Sequence, residues 1–551
     1  MYKKKYLYAI TLLILLNLGM IIHFFTLKTT FHVDELFSYG HANSSTGAYL
    51  VLNIDTNMLS EDIEKYLTKQ WLVGSVFHNY LTVQPKERFR YKHIFENLAV
   101  GVHPPLFYIL LHTICSFTPD IFSKWQGAVL NIPIWIILLM VMYKLSRLFF
   151  EDKYLALLPV VFYAYSQIGF NTVIFIRGYL LQTLWATSLV YETTKMIQEH
   201  KTKAKRWILI FLFSLLGMLT QYNSVIFSAI VGVIMGLNLL VKKRYKDLMI
   251  FAGVMLLSLA GLFILFPQIL EVLSHANRVK EVQDIGHQWF RTLLNLIMLN
   301  IEWKSSEIYT TKLWSFSNSH NGMFIEVWIL YMFYKYKYTS VDRNVELLIV
   351  ISMCMFVFCS IYMPQMHIYN MRYIMLIMPL FAIYTIWSIS FILQIIIRNT
   401  VVIKVLLSVL IFVNSWFVDF NQRSPYAFQW GKNIEKRVQD KNIIWIGDSV
   451  WMLYGSLNIA QEASNVFLTL KRDEETIEAV LNEINQADYL INFNHHERNK
   501  YDISVKPKGI APLDPMINGK LTYEMTIKIG EWFYDIYKVK KHDHKLQGKT
   551  Q

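Results

Sequence analysis

The chain has 551 residues, 54% of them hydrophobic and 15% aromatic, and its mean hydropathy is positive. That apolar content exceeds what a soluble domain of average composition carries and places the chain in a membrane. Its formal charge of +13 would point to a polyanion partner in a soluble protein. Here the lysines and arginines lie in short gaps between apolar runs, which is the positive-inside pattern and argues against nucleic-acid binding.

The first apolar run, Tyr6 to Leu27, follows Lys3 to Lys5. It is longer than a signal core and Leu27 to Thr30 offers no small-residue cleavage pattern, so it reads as an anchor with a cytoplasmic amino terminus. A span needs about 20 apolar residues. Runs near that length predict about eleven spans, at 6 to 27, 125 to 146, 154 to 172, 177 to 195, 207 to 221, 223 to 241, 248 to 266, 321 to 337, 345 to 363, 372 to 394 and 401 to 418. Lys144 with Arg147, the Lys195 to Arg206 stretch and Lys242 to Lys246 then all face inward.

Residues 28 to 124 form one large outer loop in this threading. Its Pro104 to Phe117 segment is too short to cross comfortably, and paired prolines suit the first turn of an interfacial or re-entrant helix. Ser60 to Thr68 reads as a second helix, capped and lying over the membrane surface. The loop opens with Asp34-Glu35, held close to the membrane by a short tether. An aspartate there can act as a general base, and a neighbouring carboxylate can bind a metal or raise the base's proton affinity. Asp34 could equally be a helix N-cap. The loop closes with His103-Pro104-Pro105, whose imidazole could orient a carboxylate, ligate a metal, contact phosphate or sit solvated at the interface.

Arg177 and Arg372 each fall at the outer, amino-terminal end of a predicted span. The helix macrodipole disfavours a cation there, so each arginine suggests an anion nearby, with phosphate the natural choice. Snorkelling to the interface is the competing explanation. Tyr179, Gln182, Gln221, Tyr222 and Tyr373 lie near the same level and could add neutral hydrogen bonds. After the last span, residues 419 to 551 alternate strand and helix patterns. Strands are expected at Asn442 to Gly447, Asn465 to Leu470, Asp488 to Phe493, Tyr523 to Ile529 and Phe533 to Val539, with a helix at Glu474 to Gln486. This predicts a small extracytoplasmic α/β domain with a basic tail. Cys115, Cys354 and Cys359 sit in apolar runs and give no disulfide framework. No Walker loop, paired Cys-x-x-Cys site or Gly-x-Ser-x-Gly elbow stands in a suitable context.

Taken in order, several elements resemble the GT-C superfamily of membrane glycosyltransferases, in particular the protein O-mannosyltransferase and lipid A aminoarabinose transferase branch. Asp34-Glu35 resembles the family's acidic pair, and His103-Pro104-Pro105-Leu106 its His-Pro-Pro-Leu. Leu145-Ser146-Arg147-Leu148-Phe149 resembles an inner turn, Phe175-Ile176-Arg177-Gly178-Tyr179 an Arg-x-Tyr element, and Arg372-Tyr373 with Pro379 a late Arg-Tyr...Pro element. The resemblance covers about residues 1 to 390. It implies an α-helical polytopic enzyme, with residues 1 to 418 as its transmembrane domain. That enzyme would move a sugar from a polyprenyl-phosphate carrier to a cell-envelope glycan, lipid or protein acceptor on the outer face of the cell membrane. Asp34 with Glu35 would be catalytic. His103, Arg177, Tyr179, Gln221, Tyr222, Arg372 and Tyr373 would line the substrate site. Glu35 and His103 could hold a divalent metal or merely order Asp34. Phe107-Tyr108 stands where the mannosyltransferase form has Gly-Lys, which speaks against protein mannosylation, and Ile176 replaces the alanine that commonly precedes the arginine. The alternatives are a lipid-linked glycan transporter without catalysis, and an assembly factor that docks through its tail.

Overall fold

The computed structural model describes residues 2–29, 31–50, 67–100, 103–270, 347, 350–352, 354–355, 371–373, 375–397, 399–416, 434–447, 450–469, 474–493, 515–529 and 532–541. The chain forms two compact units. The first comprises Met1–His23, Gly101–Phe107 and Gly127–Phe420, and the second Phe24–Val100, Tyr108–Gln126 and Asn421–Gln551.

The first unit is helical. Among the described residues, four helices are long and apolar enough to cross a membrane: Lys124–Ser146, Asn223–Val241, Tyr245–Leu265 and Met375–Gln394. Helices suit such a solvent because every backbone polar group is satisfied within the segment. Leu256, Leu257 and Ile264 stay exposed, as apolar side chains facing lipid would. Further helices at Tyr2–Leu27, Tyr179–Gln198, Ala204–Met218 and Thr400–Trp416 coincide with predicted spans. The span expected at 154 to 172 is instead two helices, Lys153–Ala164 and Gln167–Ile174, bent by 62°. Ser166 causes the break: it caps a new helix by accepting the Gly169 amide at 3.1 Å, so the chain restarts instead of continuing. The predicted span at 321 to 337, most of that at 345 to 363, and all but the last two residues of the helix expected at Ser60 to Thr68 lie outside the described residues.

A polar contact ties three of these helices. Asn17 donates to the Ala164 carbonyl at 2.7 Å and accepts from the Trp135 indole at 2.8 Å. All three residues are buried, and such contacts between membrane helices are each worth about 0.6–1.7 kcal/mol.

The second unit contains a six-stranded sheet, β1 (Trp71–Val73), β2 (Asn442–Ile446), β3 (Asn465–Thr469), β4 (Tyr489–Phe493), β5 (Leu521–Ile529) and β6 (Trp532–Val539). Its order is β1-β3-β2-β4-β6-β5. The central β3-β2-β4 run is parallel, which demands crossovers, supplied by helices at 450–460 and by Glu474–Glu483. Parallel strands are covered on both faces, so they read as apolar runs; β2, β3 and β4 are buried along four of five positions. Ile444, Phe467, Val480, Leu490 and Tyr537 meet in the core.

The five strands expected from the sequence are present within two residues at their ends. β1 was not expected. It comes from the predicted first loop and pairs antiparallel with β3, Leu72 opposite Val466. Three residues carry too little periodicity to announce a strand; here the exposed edge of β3 specifies it. A hydrogen-bonded pair of strands must lie on one side of a bilayer, so β1 and β3 share a side.

Candidate functional site

In the second unit, the turn after Leu27 and the helix Val33–Asn43 organise the acidic pair. His32 is the N-cap: its Nδ1 accepts the Asp34 amide at 3.1 Å, while Glu35, at the third helical position, accepts the His32 amide at 2.8 Å. This is a capping box with histidine in the place usually taken by serine or threonine. Asp34 is therefore not the N-cap. Glu35 also receives a hydrogen bond from Lys28 Nζ at 2.7 Å, and both side chains are fully enclosed. Burial pulls the Lys28 ammonium down, an effect the adjacent Glu35 opposes.

The two carboxylates thus divide their roles. Glu35 satisfies a buried lysine and a helix end, whereas the Asp34 side chain keeps 20% exposure. Lys124 fastens the same turn by donating to the Thr26 carbonyl at 3.1 Å and to the Lys28 carbonyl. Tyr39 donates to the Ser123 carbonyl at 2.8 Å, and Phe31 packs on Phe122 with ring centroids 4.7 Å apart. Asp34 therefore stands on a helix fixed at its first turn by charge, hydrogen bonds and aromatic packing.

In the first unit, the polar residues singled out near Arg177 come together from separate segments. Arg177 Nη2 lies 2.6 Å from His103 Nε2. A guanidinium can only donate, so Nε2 is the acceptor in this contact. Arg177 is 5% exposed. Its turn is set by Asn131, a buried side chain that donates to the Val173 and Phe175 carbonyls at 2.9 and 3.1 Å. Gly127 allows the close approach, since a Cβ there would sit 2.5 Å from the Ile176 side chain.

An aromatic chain continues from this turn. Phe175 stacks on Tyr179 with centroids 5.8 Å apart, and Tyr179 meets Tyr373 edge to face at 6.2 Å. The Arg372 guanidinium lies 5.1 Å above the Tyr373 ring and donates to its hydroxyl at 3.3 Å. The Gln221 amide borders Gly178, 3.2 Å from where a Cβ would stand, and Tyr222 is the N-cap residue of helix Asn223–Val241. Gln182 donates to Ser224 at 3.1 Å. Arg177 with His103, and Arg372 with Tyr373, are thus linked through the rings of Phe175, Tyr179 and Tyr373.

Of the two residues expected to hold a metal, Glu35 is engaged by Lys28 and the His32 amide in the second unit, and His103 contacts Arg177 in the first. Among the described residues no group of three or more His, Cys, Asp or Glu could hold an ion. The residues that sequence reasoning missed are Lys28, His32, Lys124 and Asn131. Lys28 carried a legible signal, because a lysine at the outer end of the first span runs against the positive-inside pattern and calls for a nearby acid.

No protein-family model and no curated protein matches this sequence. Among solved structures, the chain is similar to ArnT from Cupriavidus metallidurans bound to undecaprenyl phosphate, with TM-score 0.49 and 8% identity over 98% of this chain and 99% of that one. It is also similar to the oligosaccharyltransferase AglB from Archaeoglobus fulgidus in complex with an inhibitory peptide and a dolichol-phosphate, with TM-score 0.48 and 11% identity over 90% of this chain and 70% of that one. The same oligosaccharyltransferase with zinc and sulfate gives TM-score 0.48 and 12% identity over 87% and 68%.

Proposed function

We propose that this chain is an integral-membrane glycosyltransferase of the GT-C kind, taking a sugar from a polyprenyl-phosphate carrier and passing it to a cell-envelope acceptor on the outer face. The observation that carries this reading is the contact between His103 and Arg177, which joins two motif elements 74 residues apart, together with the aromatic chain leading on to Arg372. In this reading Arg177 and Arg372 hold the carrier phosphate, while Tyr179, Gln221, Tyr222 and Tyr373 border it. His103 sets the Arg177 guanidinium by accepting from one of its arms.

The chemistry follows from those roles. An acceptor hydroxyl or amine attacks the anomeric carbon as the bond from that carbon to the phosphate oxygen breaks. The proton goes to the Asp34 carboxylate, and the polyprenyl phosphate departs with its charge met by the arginines. No acid is needed for a leaving group neutralised in that way. Glu35 acts through the helix that carries Asp34, holding its first turn against Lys28, and no step is assigned to a metal. The amino terminus is cytoplasmic and the sheet-bearing unit extracytoplasmic in this assignment. The pairing of β1 with β3 supports it, since both belong to segments predicted to face outward.

The broken span at 153–174 is the observation that favours a lipid-linked glycan transporter instead, because interrupted helices line many transport sites. Binding of sugar-free polyprenyl phosphate to detergent-purified protein tests the phosphate assignment. Arg177→Ala and Arg372→Ala should each weaken binding at least about tenfold, the loss of a charge-assisted contact. Parental affinity in both variants would remove the site from these arginines.

A further inference from the structure

A cavity of about 520 Å³ opens in the first unit where three helix ends converge: the last turn of Lys124–Ser146, the last turns of Tyr179–Gln198 and the first turn of Ala204–Met218. Three ends at one level place it at a face of the membrane. Lys144, Lys195, Lys203, Lys205 and Arg206 line it, against a single acid, Glu192. Arg206 is spoken for: it donates to Glu199 Oε2 at 2.9 Å and to Glu192. The lysines carry the surplus charge. Lys203 and Lys205 flank a helix N-terminus that has no acid in its first turn and no side-chain cap, the end at which cations are disfavoured unless an anion joins them.

The walls change character with depth. Val141 lies one turn below Lys144, and Leu209 and Phe213 lie one and two turns beyond Arg206 on the same helix face, all three lining the cavity. Ser188 and Tyr191 add hydroxyls on the face that bears Lys195, whose ammonium lies 5.9 Å from the Tyr191 ring centroid. A ring of ammonium groups above an apolar wall fits an amphiphile with an anionic head, whereas lysines that served only to set topology would need no cavity beneath them.

We propose that this cavity binds the phosphate headgroup of an anionic phospholipid, with the acyl chains against Val141, Leu209 and Phe213. It shares no residue with the proposed transfer site, so failure of either assignment leaves the other standing.

The test is native mass spectrometry of the detergent-purified full chain titrated with phosphatidylglycerol, phosphatidylcholine of matched acyl chains, and inorganic phosphate. The parent should bind phosphatidylglycerol at least about tenfold tighter than phosphatidylcholine and than inorganic phosphate, each lysine contributing about fivefold. Lys144→Gln/Lys203→Gln/Lys205→Gln should abolish the preference, and the matching arginine triple should keep it. If the glutamine triple fails to fold, Lys203→Gln alone, at an exposed position, should still cost about fivefold. Equal affinity for the two lipids, or a preference surviving in the glutamine variant, would overturn the proposal. Phosphatidylglycerol bound no tighter than inorganic phosphate would overturn the lipid in favour of a free-phosphate site.

Discussion

Replacing Lys28 by methionine should destabilise the sheet-bearing unit far more than loss of a surface lysine would. Lys28 Nζ and Glu35 Oε2 are 2.7 Å apart, both side chains are fully enclosed, and the same oxygen accepts the His32 amide at 2.8 Å. Methionine keeps the apolar stem but leaves a buried carboxylate without its countercharge, a change that costs about 3–5 kcal/mol. Adding Glu35→Gln removes that stranded charge, while the glutamine oxygen can still accept the His32 amide as in a capping box. The double variant should therefore recover about 1–3 kcal/mol of the loss. Thermal unfolding of the full chain in detergent, followed by tryptophan fluorescence, reads both effects. The single variant should lower the midpoint by roughly 10 °C and the double variant by less. A shift under about 2 °C for Lys28→Met, or a double variant less stable than the single one, would refute the buried pair as the support of this helix.

Three further outcomes follow from the same geometry. Burial, with the neighbouring His93 adding to it, holds the His112 imidazole down to about 4 from an ordinary 6.5. The folded state then binds fewer protons than the unfolded one between those values, so stability is full above pH 6.5 and falls as the pH drops towards 4, by up to about 3 kcal/mol. Unfolding midpoints across that range should slope in the parent and flatten in His112→Leu; equal slopes would contradict it. Asn131→Leu removes a buried side-chain donor from the Val173 and Phe175 carbonyls, the second of which keeps the Arg177 amide at 2.8 Å, at a cost of about 1–3 kcal/mol. It should raise the donor KM at least about tenfold through the displaced Arg177 turn, since 1.4 kcal/mol is tenfold in an equilibrium; an unchanged KM would count against the turn's role. Gly74→Ala places a Cβ 1.9 Å from the Ala463 carbonyl oxygen, a backbone atom that cannot swing away. It should detach β1 from β3, seen as faster hydrogen exchange of the β1 amides, and protected β1 amides would refute that.

Much of the fold was legible because its elements are long and regular in pattern. The apolar runs give the helices, and the buried parallel strands read as short apolar segments bounded by turns. The break at Ser166 was not legible from hydropathy, which runs on through residues 154 to 172; a serine three residues before Gly169 was the available signal, and it is common enough to pass unnoticed. In the candidate site, the arginines stood out through a conflict between charge and helix dipole; Arg177 contacts His103, and Arg372 lies over Tyr373. The two members of the acidic pair Asp34-Glu35 look chemically equivalent in one dimension. Burial separates the two carboxylates, and burial here depends on Lys28 folding back over seven residues. β1 was invisible because its partner lies almost 400 residues away.

Sugar transfer itself separates an enzyme from a carrier-binding transporter. The purified chain would be incubated with radiolabelled polyprenyl-phosphate sugars and envelope acceptors from its own membranes, comparing parent and Asp34→Asn at equal protein level. The parent should transfer sugar, and the variant should fall by about 10²–10⁴-fold, the usual worth of a general base, while still binding the carrier. Parental rates in Asp34→Asn would contradict the assignment of the base, and carrier binding without turnover in either protein would contradict glycosyl transfer and leave the transporter.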